Sequence, residues 1–153
     1  MPASMSSAQS RPLKLPHVIT VDGPSASGKG TLSRRLAKDL GYVYVDTGAM
    51  YRTLAWWALR QGISLDAPLS EASEKAVIAL LRRWKAEMRV LDGQAWLHVE
   101  GYFPANEIRG DAVEHAVPVI AQISKVRDWM VARQRDCVTL GPLVMEGRDI
   151  GTV

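Results

Sequence analysis

His17-Val-Ile-Thr-Val-Asp22-Gly-Pro-Ser-Ala-Ser-Gly28-Lys29-Gly30-Thr31 is the stretch on which the fold turns. Its first half is short and rich in β-branched residues, and it reads as a buried strand. A glycine-rich turn follows, and then a helix over about Gly28–Leu40. Leu32, Leu36 and Leu40 recur there at i, i+4, i+8 as the expected packing face, and Gly41 closes the helix. Tyr42-Val-Tyr-Val-Asp46 reads as a second strand. It leads to a helix over about Ala49–Arg60 that Gly62 stops. Strand, turn, helix, strand is a βαβ unit, so the two strands should be parallel with a right-handed crossover.

The turn has a chemistry of its own. Gly23, Pro24, Ser25, Ala26, Ser27, Gly28, Lys29, Gly30 and Thr31 lie between a strand and a helix, the setting of a phosphate-binding loop. Glycines let backbone N–H groups converge on phosphate oxygens, and the new helix adds its free N–H groups and positive dipole end. Lys29 stands where a compact cation would meet the β and γ phosphates. The strict pattern puts Ser or Thr directly after the lysine; here Gly30 intervenes and the hydroxyl is that of Thr31. Asp22 and Thr31 are candidates for ordering a divalent cation and its waters, Thr31 the better one. A turn that only joins strand to helix is the plainer reading, and it leaves this set of residues unaccounted for. The loop points to a nucleoside triphosphate and is silent about what receives the phosphate.

The rest of the chain sets limits. With 153 residues, 47% hydrophobic, 23% charged and a net charge of +3, the bulk is neither disordered nor membrane-spanning, and no apolar run approaches 18 residues. Cys137 is the single cysteine, so no intrachain disulfide or cysteine zinc cluster can form, which favours a reducing, cytoplasmic setting. Residues 1–62 hold eight basic side chains against three acidic, and 63–153 eleven against thirteen. Positive charge confined to the N-terminal part suits a compact anion better than a nucleic acid, which more often meets a basic stripe along a whole domain, and a scatter of solvated lysines and arginines accounts for it equally well. Residues 1–16, rich in Ser, Ala and Pro, read as a disordered tail without a secretory or transit signal.

Further along, Ser70 to about Lys85 reads as an amphipathic helix with Ser70 as its N-cap. Met88–Leu91 and Ala95–Val99 flank Asp92-Gly93, the signal of a type I′ hairpin. An antiparallel hairpin in a parallel α/β chain suggests an inserted subdomain over 63–104. Two helices are expected over about Asp111–Ile123 and Lys125–Val138. Leu143-Val-Met-Glu146 should be a third core strand, entering Gly-Arg-Asp-Ile-Gly. His17, His98 and His115 lack metal-ligand spacing, and the five tryptophans are scattered as packing residues would be.

Asp46-Thr47-Gly48-Ala49-Met50-Tyr51-Arg52 ends the second strand. From spacing alone, Arg52 is as readily a surface arginine as a bidentate phosphate ligand near the carboxyl edge of the sheet. Together, GPSASGKGT (23–31), DTGAMYR (46–52), Glu107-Ile-Arg109, Val126-Arg127 and EGRDIGTV (146–153) resemble the bacterial cytidylate kinase family over about residues 17–153. The resemblance implies a three-layer α/β P-loop kinase with a parallel core sheet and the hairpin insertion as its nucleoside monophosphate subdomain. It implies ATP and Mg²⁺ as cofactors, CMP and dCMP as acceptors, a cytoplasmic role in pyrimidine nucleotide metabolism, no nucleic-acid or membrane partners, and a monomer if the chain is complete. Lys29, Arg52 and Arg148 become catalytic residues, and residues 23–31 the ATP phosphate site. Thr31 becomes the Mg²⁺ residue, directly or through water. Thr47, Arg52, Arg127, Arg148 and Asp149 become the CMP site, with Arg127 toward the base. Arg109 is as readily a structural ion-pair residue as a ligand contact.

Two departures stand out. Where the family usually has a serine whose hydroxyl helps recognise cytosine, this chain has Pro118, which supplies neither hydroxyl nor N–H. A helix there should kink or begin near it. The family also continues beyond GRDIGTV into a lid and further core strands. Without them the Val18–Val21 edge should be left unpaired beside apolar surface, and the rival expectation is a non-catalytic fragment with weak nucleotide binding at best.

Overall fold

The computed structural model describes residues 15–24 and 27–148. The expectations for residues 1–14, for Ser25 and Ala26, and for Asp149 onward fall outside them. The order of elements runs β1 (Val18–Asp22), α1 (Lys29–Leu40), β2 (Val43–Asp46), α2 (Thr47–Arg60), α3 (Glu71–Arg83), β3 (Ala86–Leu91), β4 (Gln94–Val99), α4 (Asp111–Ile120), α5 (Ser124–Asp136) and β5 (Leu143–Gly147). Short 3₁₀ turns at Asn106–Arg109 and Cys137–Leu140 precede α4 and follow α5.

Five strands make one sheet in the order β1-β5-β2-β4-β3. β1, β5, β2 and β4 are mutually parallel, and β3 turns back antiparallel on β4. The βαβ reading of the N-terminal stretch therefore holds, with β5 seated between its two strands. The hairpin also forms: Asp92 and Gly93 both have positive φ (51° and 77°), as a type I′ turn requires. It joins the sheet through Tyr44 opposite Gln94 and Val45 opposite Ala95.

Strand alternation assigns the two faces. Tyr44 and Val144 pack with Ala37 of α1 on one face. Val45, Leu143 and Met145 point the other way, into a larger core with Met50 and Leu54 of α2, Leu80 of α3, Ile120 of α4 and Met130 of α5. Trp84 and Trp129 stack at 4.8 Å and 10°, tying the end of α3 to α5. β5 is buried at all five positions, as a strand covered on both faces must be.

Several expectations change. β1 is half-exposed instead of buried, because among the described residues it pairs on one side only, with β5. α1 packs through Ser33 and Ala37, while Leu32 is 60% exposed. Small residues let the helix lie close to Tyr44 and Val144; Leu36 of the leucine row packs partly buried against the same cluster, while Leu32 does not. α2 begins two residues early, at Thr47, because the Asp46 carboxylate caps it by accepting from the Ala49 N–H at 3.1 Å. α4 neither starts at Pro118 nor reaches Ile123; it runs through the proline and ends two residues beyond it. No described helix is long and apolar enough to cross a membrane.

Candidate active site

The phosphate-binding loop leaves β1 and enters α1. Gly28 adopts a left-handed conformation (φ 80°) at the N-cap of α1, a position that favours glycine. Its carbonyl accepts from Leu32 N at 3.2 Å, and no side chain caps the helix among the described residues. The first-turn N–H groups therefore face the loop unspent, with the positive end of the helix dipole behind them. Gly23 N donates to Gly147 O at 3.2 Å, fastening the start of the loop to the end of β5. Lys29 Nζ donates to Pro24 O at 3.2 Å, which folds the ammonium back over the loop. Thr31 is exposed on the first turn.

A cavity of about 890 Å³ opens at the carboxyl ends of β2 and β5. Lys29 lines one part of it; Thr47, Arg52, Arg127 and Arg148 line the rest, so the structure gathers these predicted residues around one space. Asp46 holds Arg52 by an ion pair at 3.2 Å that aims the guanidinium. Gly48 makes room for that pair, since a Cβ there would lie 3.1 Å from both Arg52 Nη1 and Asp46 Oδ1. Thr47 is buried and donates its hydroxyl to Glu146 O at 2.8 Å, leaving its lone pairs for a ligand. Arg127 donates to the carbonyls of Ala121 and Gln122 at 3.1 and 3.0 Å, so it also closes the C-terminal end of α4. Pro118 and Gln134 form part of the wall. Arg109 is exposed on its 3₁₀ turn and does not line this cavity.

Sequence reasoning passed over the side chain of Glu146. It is 7% exposed at the end of β5, directly opposite Asp46 in the sheet register. Tyr44 donates its hydroxyl to Glu146 Oε1 at 2.5 Å, whereas Oε2 is buried without a partner among the described residues. Burial first, and then this bond, push the Tyr44 hydroxyl far above the usual tyrosine range. A Cβ on Gly30 would stand 3.5 Å from both Glu146 oxygens, so the carboxylate sits beneath the first turn of α1. The signal available in the sequence was a lone acid closing the apolar run Leu143-Val-Met. Tyr51, also in the lining, has its hydroxyl pushed up by burial, with Arg127 opposing.

Among the described residues no three His, Cys, Asp or Glu side chains form a metal cage. Mg²⁺ is commonly held by one or two protein oxygens together with substrate phosphates. The orphaned Glu146 oxygen at the base of the loop fits such a role, with Thr31 on the same turn.

A parallel sheet whose carboxyl edge opens on this cavity, with a glycine loop feeding a helix N-terminus, defines a P-loop kinase-like fold. A family model described as cytidylate kinase matches residues 19–153. The chain is 43% identical over 134 residues to a cytidylate kinase of Geobacillus sp. (strain WCH70), an alignment covering 88% of this chain and 57% of that protein. It is 41% identical over 139 residues to one of Nocardia farcinica (strain IFM 10152), covering 90% and 57%. The chain thus belongs to the cytidylate kinase family, and it spans about 57% of the length of these curated relatives.

Proposed function

We propose that the protein is an ATP-dependent nucleoside monophosphate kinase that phosphorylates CMP, and dCMP, in pyrimidine nucleotide metabolism. The observation that carries this reading is the shared cavity, in which Lys29 and the open N-terminus of α1 face Arg52, Arg127 and Arg148. The family relationship supports it independently.

In this reading the free N–H groups of the loop and α1 bind the phosphates of ATP, and Lys29 turns from the Pro24 carbonyl to the β/γ oxygens. Arg52, aimed by Asp46, grips the acceptor phosphate with two parallel N–H···O bonds, which an ammonium could not do. Thr47 offers its lone pairs beside it, Arg127 serves the base, and Arg148 spans donor and acceptor, with Asp149 at the ribose. An acceptor phosphate oxygen forms the new bond to the γ phosphorus as the bond from that phosphorus to the β–γ bridging oxygen breaks, releasing ADP. The acceptor is already an anion, so no strong general base is required, and the protein contributes alignment and positive charge. Thr31 and Glu146 would hold Mg²⁺, which would supply neutralisation of phosphate charge when bound. A cytoplasmic setting agrees with a lone reduced thiol.

The test is ADP release by the 153-residue chain with CMP, dCMP, UMP and AMP as acceptors. CMP and dCMP are expected to turn over. Lys29→Ala should lower that turnover by on the order of a hundredfold or more while circular dichroism stays unchanged. Near-normal turnover in that variant, or folded wild-type chain inactive with all four acceptors, overturns the proposal.

A further inference from the structure

The carboxylate of Glu146 is held in an unusual way. One oxygen receives the Tyr44 hydroxyl at 2.5 Å, a contact between residues 102 apart in sequence. The other is buried with no donor among the described residues, beneath the point where Gly30 carries no side chain. An unpaired buried carboxylate oxygen loses its solvation uncompensated unless something with protons or positive charge meets it. Tyr44 is itself fixed, buried in the small core against Ala37 and Val144, with the Arg34 guanidinium 5.4 Å from its ring centre. The hydroxyl therefore cannot swing away, and the carboxylate cannot rotate to satisfy both oxygens internally.

We propose that Tyr44 is a positioning residue: its hydroxyl pins Glu146 so that the second carboxylate oxygen is kept for the hydrated divalent cation that accompanies a nucleoside triphosphate. This rests on the kinase reading above. Tyr44 touches no substrate; it acts through Glu146. The absence of a side chain at residue 30 belongs to the same device, because a hydroxyl at that position would lie within reach of the carboxylate and satisfy it.

Calorimetric titration of the 153-residue chain with ATP, with and without Mg²⁺, tests the assignment. Wild-type protein should bind ATP several-fold more tightly with Mg²⁺. Tyr44→Phe, which keeps the ring and its contact with Arg34, should lose most of that gain while its Mg²⁺-free affinity stays within twofold of wild type. Glu146→Gln, still able to accept from Tyr44 but uncharged, should lose the gain as well, and the double variant should lose no more than either alone. A purely structural role for Tyr44 would weaken both affinities alike and would overturn the proposal. So would a full Mg²⁺ gain in Glu146→Gln, whatever the fate of Tyr44→Phe. Wild-type chain that binds no ATP overturns the kinase reading together with this one; wild-type binding with an unaltered gain in Tyr44→Phe overturns this one alone.

Discussion

Cys137 sits where α5 tightens into its 3₁₀ turn, fully buried, with its thiol donating to Arg133 O at 3.3 Å. Burial, and next the neighbouring Asp136 charge, push the thiol from 9.0 up to about 11. The folded state thus keeps its proton after the unfolded state has lost it. The resulting stabilisation is complete below pH 9 and is lost as pH rises toward 11. Two pKa units correspond to about 2–3 kcal/mol. Cys137→Ala should therefore show a shallower loss of stability between pH 9 and 11 than wild type, read from urea midpoints across that range. Parallel curves for the two proteins would refute the assignment. The same geometry makes the folded thiol a poor nucleophile, which suits a packing role. At this scale the sequence is a good guide to residues whose chemistry is local, such as the Gly28 turn. It is a poor guide to Tyr44 and Glu146, which meet only because β2 and β5 become neighbours.

Among the elements, α4 carries the most informative irregularity. Pro118 lies inside Asp111–Ile120, so the Glu114 carbonyl one turn earlier has no N–H to accept from at that position. The proline also lines the candidate acceptor cavity. Pro118→Ser should restore the missing helical bond and bring a hydroxyl to the cavity wall. Thermal unfolding should then shift upward, by about 1–3 kcal/mol given a proline near the helix end. On the proposed kinase reading, discrimination of CMP from UMP should rise about 2- to 10-fold, the worth of one neutral hydrogen bond. A variant that gains stability with unchanged preference would leave Pro118 a purely helical matter. Elements marked by strong punctuation, Ser70 before α3, Asp92-Gly93 in the hairpin and Gly41 after α1, were legible in the sequence. Less legible was the direction in which α1 packs. Leucine spacing marked one face, of which Leu36 does pack on the cluster, but the fully buried positions are Ser33 and Ala37, whose small side chains permit close approach to the sheet.

For the whole molecule, the decisive feature is the outer edge of the sheet. Among the described residues β1 hydrogen-bonds only to β5, and its other side offers backbone donors and acceptors. Val18 on that strand is 37% exposed, and Leu32 on α1 is 60% exposed. An open edge next to apolar side chains is a template for pairing with a second chain. The 153-residue chain should therefore self-associate as its concentration rises. Thr20 is exposed in the middle of β1, and a lysine there would place a charge that a pairing strand would have to bury. Thr20→Lys should change the unfolding midpoint little, because a substitution at an exposed site typically moves stability by no more than about 0.5 kcal/mol. Its mass by light scattering should hold at the 16.8 kDa of one chain over a concentration range in which wild type climbs above it. If wild type also holds at one chain throughout, or if Thr20→Lys associates as strongly, the edge is not what governs the solution state. If the lysine variant stays single and still binds ATP as wild type does, the edge and the nucleotide site are separable, although β1 leads directly into the phosphate-binding loop.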